Sequence, residues 1–185
     1  MNIPDPLKIV SKNLRILPYT YKTKQFRELE LQQFAKRKNI IYGAQSIKKQ
    51  LGIRGRPTYD FDIFSNNPKK DAYAIERQLE KIAPNTDLFY VKPALHYGTF
   101  KIMFKGKDLI KNSKDDVGLI DLSKKEGIIK YIKIENNLYR ILQQELKAKL
   151  KALKDPTQKF RWKKDNDDAI RIKNYLNKFN KKIYK

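Results

Sequence analysis

Cysteine is absent from this chain of 185 residues. Its absence excludes disulfides, thiolate zinc sites and a thiol nucleophile, and it suits a cytoplasmic or other reducing intracellular compartment. Histidine occurs once, as His96, which sets aside Ser-His-Asp triads and imidazole-based metal clusters. Acidic residues are scarce: 20 Asp and Glu stand against 42 Lys and Arg, a formal net charge of +22. No apolar run approaches the roughly 18 residues of a membrane span, and no signal-peptide segment opens the chain, so no membrane association is expected. Repeats and low-complexity linkers are also lacking. Any metal chemistry must therefore run on carboxylates, which favours Mg2+ or Mn2+.

Hydrophobic residues make up 40% and aromatics 11%, enough for a true core in one α/β unit. The positive charge is spread along the whole chain rather than held in one tail. It belongs to the folded surface and points to a polyanionic partner, nucleic acid before membrane. The bland alternative is a lysine-rich compositional bias.

Residues 1–20, with Pro4, Pro6 and Pro18, read as an irregular arm. Residues 21–137 read as a mixed α/β (α+β) core and 138–185 as a basic helical region packed on it. Phe26, Leu29, Leu31 and Phe34 give Thr23 to Lys38 a helical face that Asn39 ends. Ile40-Ile41-Tyr42 predicts a buried strand ending at Gly43. Gly43 opens a helix to about Leu51, whose first free N–H groups suit a phosphate. Asn67-Pro68 caps a further helix carrying Ala72, Ile75, Leu79 and Ile82. Strands are expected at 88–92, 99–104, 117–122 and 128–134. Asn136-Asn137 reads as a turn, followed by a helix over 138–153 and a last basic helical segment from Thr157. Ala169, Ile172, Leu176 and Phe179 give that segment a packing stripe, and Phe160 and Trp162 are expected to anchor the turn before it. The run Lys164 to Asp168 reads as a match to the dipole of the final helix. His96 falls in a loop, as a surface or packing residue.

The centre of the reading is Pro57 to Phe64, which alternates. Tyr59, Phe61 and Ile63 fall on one strand face, Asp60 and Asp62 on the other. Carboxylates two apart on a strand stand about 6.5–7 Å apart. They either face water beside lysines or grip divalent cations between them. A third carboxylate, Asp121, interrupts the apolar run 117–122, with Ile120 and Leu122 on the opposite face. It is either buried or at the working edge of the sheet, the bland alternatives being a strand-end cap or a salt bridge to a lysine; Asp115 and Asp116 are nearby alternatives.

A Gly-Ala turn opening a helix, an Asp-x-Asp strand and a later third carboxylate together resemble the DNA polymerase beta-like nucleotidyltransferase superfamily. Tyr42 to Ser46 and Arg56 to Ile63 look most like its abortive-infection toxin (AbiEii-type) branch. So does the C-terminal half, with Lys149 inside a helix and then Arg161, Asp165 and Asp168. The resemblance covers roughly residues 38–176. It implies that Asp60, Asp62 and Asp121 bind metal, with Asp121 also activating the attacking hydroxyl. Gly43 and Ala44 would cradle an NTP triphosphate, Gln45 or Ser46 would reach a phosphate oxygen, and Lys149 would meet phosphate. Arg56 would support the site, and Asp165 and Asp168 would hold the C-terminal helices against it. Ala44 departs from the usual Gly or Ser.

The implied reaction moves a nucleoside monophosphate from an NTP to a hydroxyl, on RNA such as tRNA ahead of DNA. A toxin-like role implies an antitoxin-like protein partner. The alternative is a catalytically inactive relative that keeps the fold and binds nucleic acid.

Overall fold

The computed structural model describes residues 23–56, 58–82, 87–105 and 116–183. The expected arm over 1–20, and Asp115, lie outside them. Helix α1 spans Lys24–Arg37; the Thr23 side chain accepts from the Phe26 N–H at 3.2 Å and so caps it. It ends on Lys38 in the left-handed region at φ 53°, one residue before the expected Asn39. Strand β1 (Ile40–Tyr42) runs directly into α2 (Gly43–Leu51). After a 3-10 turn come β2 (Phe61–Ser65) and α3 (Pro68–Leu79). Asn67 caps α3 and Pro68 opens it, where a missing N–H costs nothing.

Strands β3 (Phe89–Pro93), β4 (Phe100–Phe104) and β5 (Val117–Lys124) follow. Then come the hairpin β6 (Tyr131–Ile134) and β7 (Asn137–Arg140), helix α4 (Leu142–Ala152), a 3-10 segment Pro156–Arg161 and helix α5 (Trp162–Ile183).

The seven strands form one mixed sheet in the order β3-β4-β5-β2-β1-β7-β6. β2 pairs parallel to β5 and β1 parallel to β7, and the other neighbours are antiparallel. The fold is thus mixed α/β, with C-terminal helices beyond the sheet. On one face, Phe26 and Phe34 of α1 and Ala72, Ile75 and Leu79 of α3 pack against Phe61, Ile63, Ile102, Ile120 and Leu122. Phe34 meets Phe61 edge-on at 5.0 Å between centroids. A second, smaller cluster joins Ile47 and Leu51 of α2 to Leu142 of α4 and Ile172 of α5.

Three expectations are corrected. Residues 138–140 are strand, not helix: they pair with β6 and, in parallel, with β1. The open edge of β1 satisfies their backbone groups, which outweighs their continuity with the helical pattern. β2 begins at Phe61, not Pro57, so Tyr59 is 57% exposed instead of sharing the buried face of Phe61 and Ile63. Phe160 is 87% exposed and anchors nothing, whereas Trp162 does: its indole N–H donates to the carbonyls of Ala152 and Asp155 at 3.1 and 3.2 Å. Leu176 packs on the second cluster as expected; the side chain of Phe179 lies outside the described residues.

Candidate active site

Alternation puts every second residue of β2 and β5 on the face that α1 and α3 leave free. Asp62 and Asp121 both lie there, and the parallel register makes them direct neighbours, on strands about 4.8 Å apart. Burial, reinforced by the like charges of Asp60 and Asp121, pushes the Asp62 carboxyl up to about 7. Lys101 Nζ lies 2.9 Å from Asp121, so Asp121 is both at the working face and paired with a lysine. Asp116, one alternative for the third carboxylate, instead accepts from the Tyr90 hydroxyl at 2.8 Å. Asp60 lies just before β2, exposed, and accepts from the Thr58 hydroxyl.

Gly43 begins α2 at φ +68°, a conformation that disfavours any side chain. A Cβ there would come within 2.5 Å of Asp62 Oδ2. The turn thus touches the carboxylate, and only glycine allows the contact. The Gly43 N–H donates to Glu145 Oε1 at 2.9 Å. Glu145 is fully buried and also accepts from Arg140 Nε and Nη2 at 2.9 and 2.7 Å. Its burial pushes the carboxyl up, and the Arg140 and Gly43 donors oppose that shift. Arg140 in turn stacks over the rings of Tyr42 and Phe64, at 5.1 and 5.5 Å.

The opposite wall is a buried ionic network. Lys149 of α4, 6% exposed, donates to Asp165 Oδ1 at 2.7 Å and lies 3.4 Å from Asp168, both on α5. Arg161 donates to Asp165 at 2.8 Å, and Arg56 Nε stands 3.7 Å from Asp168. Burial alone would raise Asp165, but the Lys149 and Arg161 donors hold it below the usual carboxylate range. Lys164 to Asp168 is therefore more than a match to the helix dipole: Asp165 and Asp168 clamp α5 to α4.

Between these walls lies a cavity of about 850 Å3. Gly43, Ala44, Arg56, Asp60, Asp62, Asp121, Lys149 and Asp165 all line it. The structure does not bring the side chains of Gln45 and Ser46 there. Ser46 is fully buried and donates to the Arg140 carbonyl at 2.8 Å, and Gln45 donates to the Thr58 carbonyl at 3.2 Å. Both side chains are thus engaged with backbone carbonyls, and neither lines the cavity. His96 is exposed, at the rim. Sequence reading left Arg140, Lys101 and Ser123 out of the site. The turn residues at 135–136, with apolar alternation on either side, were the available signal for the β6–β7 hairpin that delivers Arg140.

The donor set fits a hard divalent cation in kind, carboxylate oxygen throughout, and such an ion would relieve the repulsion at Asp62. Among the described residues no three acidic or histidine side chains are gathered closely enough to hold a metal. Asp60 here accepts from the Thr58 hydroxyl.

No protein-family model matches the chain, and no curated protein matches it. Among solved structures it is similar to the Megavirus polyadenylate synthase, with a TM-score of 0.68 at 16% identity over 95% of this chain and 38% of that one. At that identity the likeness shows a shared fold. JHP933 from Helicobacter pylori is also similar, with a TM-score of 0.55 at 13% identity over 80% of this chain and 63% of that one. The chain spans well under half the length of the synthase it matches. No helix among the described residues is long and apolar enough to cross a membrane.

Proposed function

We propose that this chain transfers a nucleoside monophosphate from an NTP to a hydroxyl on RNA, the hydroxyl oxygen bonding the α-phosphorus as pyrophosphate leaves, at the cavity between β2, β5 and α4. The observation that carries the reading is the contact of the Gly43 turn with Asp62, beside Asp121, at the floor of a cavity with basic walls. A helix start next to paired carboxylates suits a triphosphate bound with divalent cations, and little else needs both. The likeness of Tyr42 to Ser46 and Arg56 to Ile63 to the AbiEii-type branch belongs to the same proposal.

Asp60 and Asp62 would hold Mg2+ or Mn2+, which supplies charge stabilisation to the phosphoryl group under attack. The free N–H groups at the start of α2 would receive the triphosphate, with Glu145 fixing the turn through the Gly43 amide. Ala44, small and lining the cavity, leaves the backbone accessible. Lys149 is already engaged by two aspartates, so it acts by locking the wall. Lys151, Lys154 and Lys164 on that wall are left to meet phosphate. Asp121 would accept the proton of the attacking hydroxyl, and Lys101 keeps it oriented.

Calorimetric titration with the four ribonucleoside triphosphates and Mg2+ or Mn2+ tests this. Metal-dependent binding that disappears in Asp60→Ala/Asp62→Ala is the expected result. Failure of every triphosphate to bind the folded wild type would overturn it and favour an inactive nucleic-acid binder.

A further inference from the structure

A second cavity, of about 620 Å3, adjoins the first and shares Thr99, Ser123, Arg140, Ala148 and Lys151 with it. Its character differs. The first is floored by carboxylates; the second has one acidic side chain, Glu126, and the basic Lys124, Lys147, Lys151 and Arg140. Its rim carries Tyr97, fully exposed on the β3–β4 loop, and Ile128, 88% exposed before β6. Leu95, on the same loop as Tyr97 and at the rim of the first cavity, is also fully exposed. Uncovered large apolar side chains at one mouth, beside a row of cations, are unusual on a surface this charged.

We infer that this second groove is the track by which a single-stranded polynucleotide delivers its terminal hydroxyl to the carboxylate cavity. The inference rests on the proposed transferase reading and names the form its acceptor takes. Three observations converge. The groove opens into the carboxylate cavity through shared residues, so a strand lying in it ends beside Asp121. Its cations match a phosphate backbone. Exposed aromatic and aliphatic side chains at the rim suit unpaired bases, which stack on them, whereas a duplex keeps its bases turned inward and offers them nothing. The Arg140 guanidinium, laid over Tyr42 and Phe64 and fixed by Glu145, forms the step between the two cavities. A membrane surface would also take basic and apolar side chains together, but a concave groove leading into a cavity floored by carboxylates is the wrong shape for it.

The test is fluorescence anisotropy with a labelled 15-nucleotide single-stranded RNA, a DNA strand of the same sequence and an RNA duplex of equal length, in EDTA so that nucleotide transfer plays no part. The expected result is tighter binding of single strand than duplex. Lys124→Glu/Lys147→Glu should weaken single-strand binding at least about tenfold and flatten its salt dependence. Tyr97→Ala should weaken it about fivefold or more and leave the duplex unchanged. Lys69→Glu/Lys70→Glu, on the far side of the sheet in α3, makes the same charge change and should cost much less. Groove variants that bind like wild type, a groove variant no worse than the Lys69/Lys70 control, or a duplex that binds as tightly as the strand, would overturn the inference. So would binding to phosphatidylserine vesicles that Tyr97→Ala abolishes while strand binding persists. Triphosphate titration of the same variants separates the two readings. Intact triphosphate binding with unaltered strand binding sinks the track alone, and loss of triphosphate binding in wild type sinks the transferase reading. Preference for RNA over DNA strands would assign the acceptor sugar.

Discussion

The two faces of the one sheet are built from the same strands and obey opposite rules. Toward α1 and α3, β2 and β5 present Phe61, Ile63, Ile120 and Leu122, all at or below 5% exposure, in a dry core. Toward α4 the very next residues are Asp62, Phe64, Asp121 and Ser123, and the space they face is a cavity. The first face gains stability from burial. The second gives up stability by crowding like charges and leaving volume unfilled, and its partners there are held by ion pairs and hydrogen bonds at a distance. A face that is costly in this way is where chemistry is to be sought.

The largest expected effect breaks the dry face. Phe34→Ala should lower unfolding free energy by about 3–5 kcal/mol in urea denaturation. Asp62→Asn, on the other face of the sheet, should leave stability unchanged or raised, because it removes a like charge, yet lower nucleotide transfer at least about a hundredfold. Destabilisation of Asp62→Asn comparable to Phe34→Ala would erase the contrast. Next is the wall of the cavity: Asp165→Ala leaves buried Lys149 with Asp168 alone, at 3.4 Å, and takes away the partner of Arg161, which should cost about 2–3 kcal/mol. The double change Lys149→Met/Asp165→Leu should recover much of that, as thermal melts would report.

Gly43→Ala should cost about 1–2 kcal/mol from its left-handed backbone, and its Cβ, 2.5 Å from Asp62 Oδ2, should displace the carboxylate and abolish triphosphate binding in calorimetry. A prediction of another kind, read from pH rather than from substitution alone, lies back on the dry face. Burial pushes Glu30, against its Arg27 partner, up to about 8 from an ordinary 4.5. The folded state therefore holds a proton that the unfolded chain has lost. Stability from this group is full below about 4.5, falls as pH rises, and levels off above about 8. Glu30→Gln should remove that fall; equal pH slopes for wild type and variant would show that Glu30 ionises normally.

Much of the fold was legible because its signals are local. Asn67-Pro68 capped α3 as read, Ile40 to Tyr42 ran into a helix at Gly43, and Phe26, Phe34, Ala72, Ile75 and Leu79 are buried as their spacing implied, with Leu29 and Leu31 partly so. Strand β7 was not legible, because Leu138 to Arg140 is short and merges with the helix that follows. Its strand state depends on β1, nearly a hundred residues away in the chain. The place of Ser46 was not legible for a related reason: its residue type suits phosphate, and only the fold brings its hydroxyl to the Arg140 carbonyl. Arg140 and Glu145 went unread as site residues because their partners, Tyr42 and Gly43, come from the other end of the sequence.

The sequence by itself determined the absence of thiol chemistry and of histidine clusters, the excess of positive charge, and the alternation that sets Asp62 and Asp121 on the opposite face to the core. These follow from composition and from the two-residue period of a strand, and need no partner. Only the tertiary structure decided which groups meet. The parallel register of β2 and β5 brings Asp62 beside Asp121. Glu145 reaches the Gly43 amide across 102 residues, and Lys149 is neutralised by α5 instead of standing free. Pairing is non-local, and in a half-buried site the energy of a charge depends on which groups surround it rather than on its own residue type.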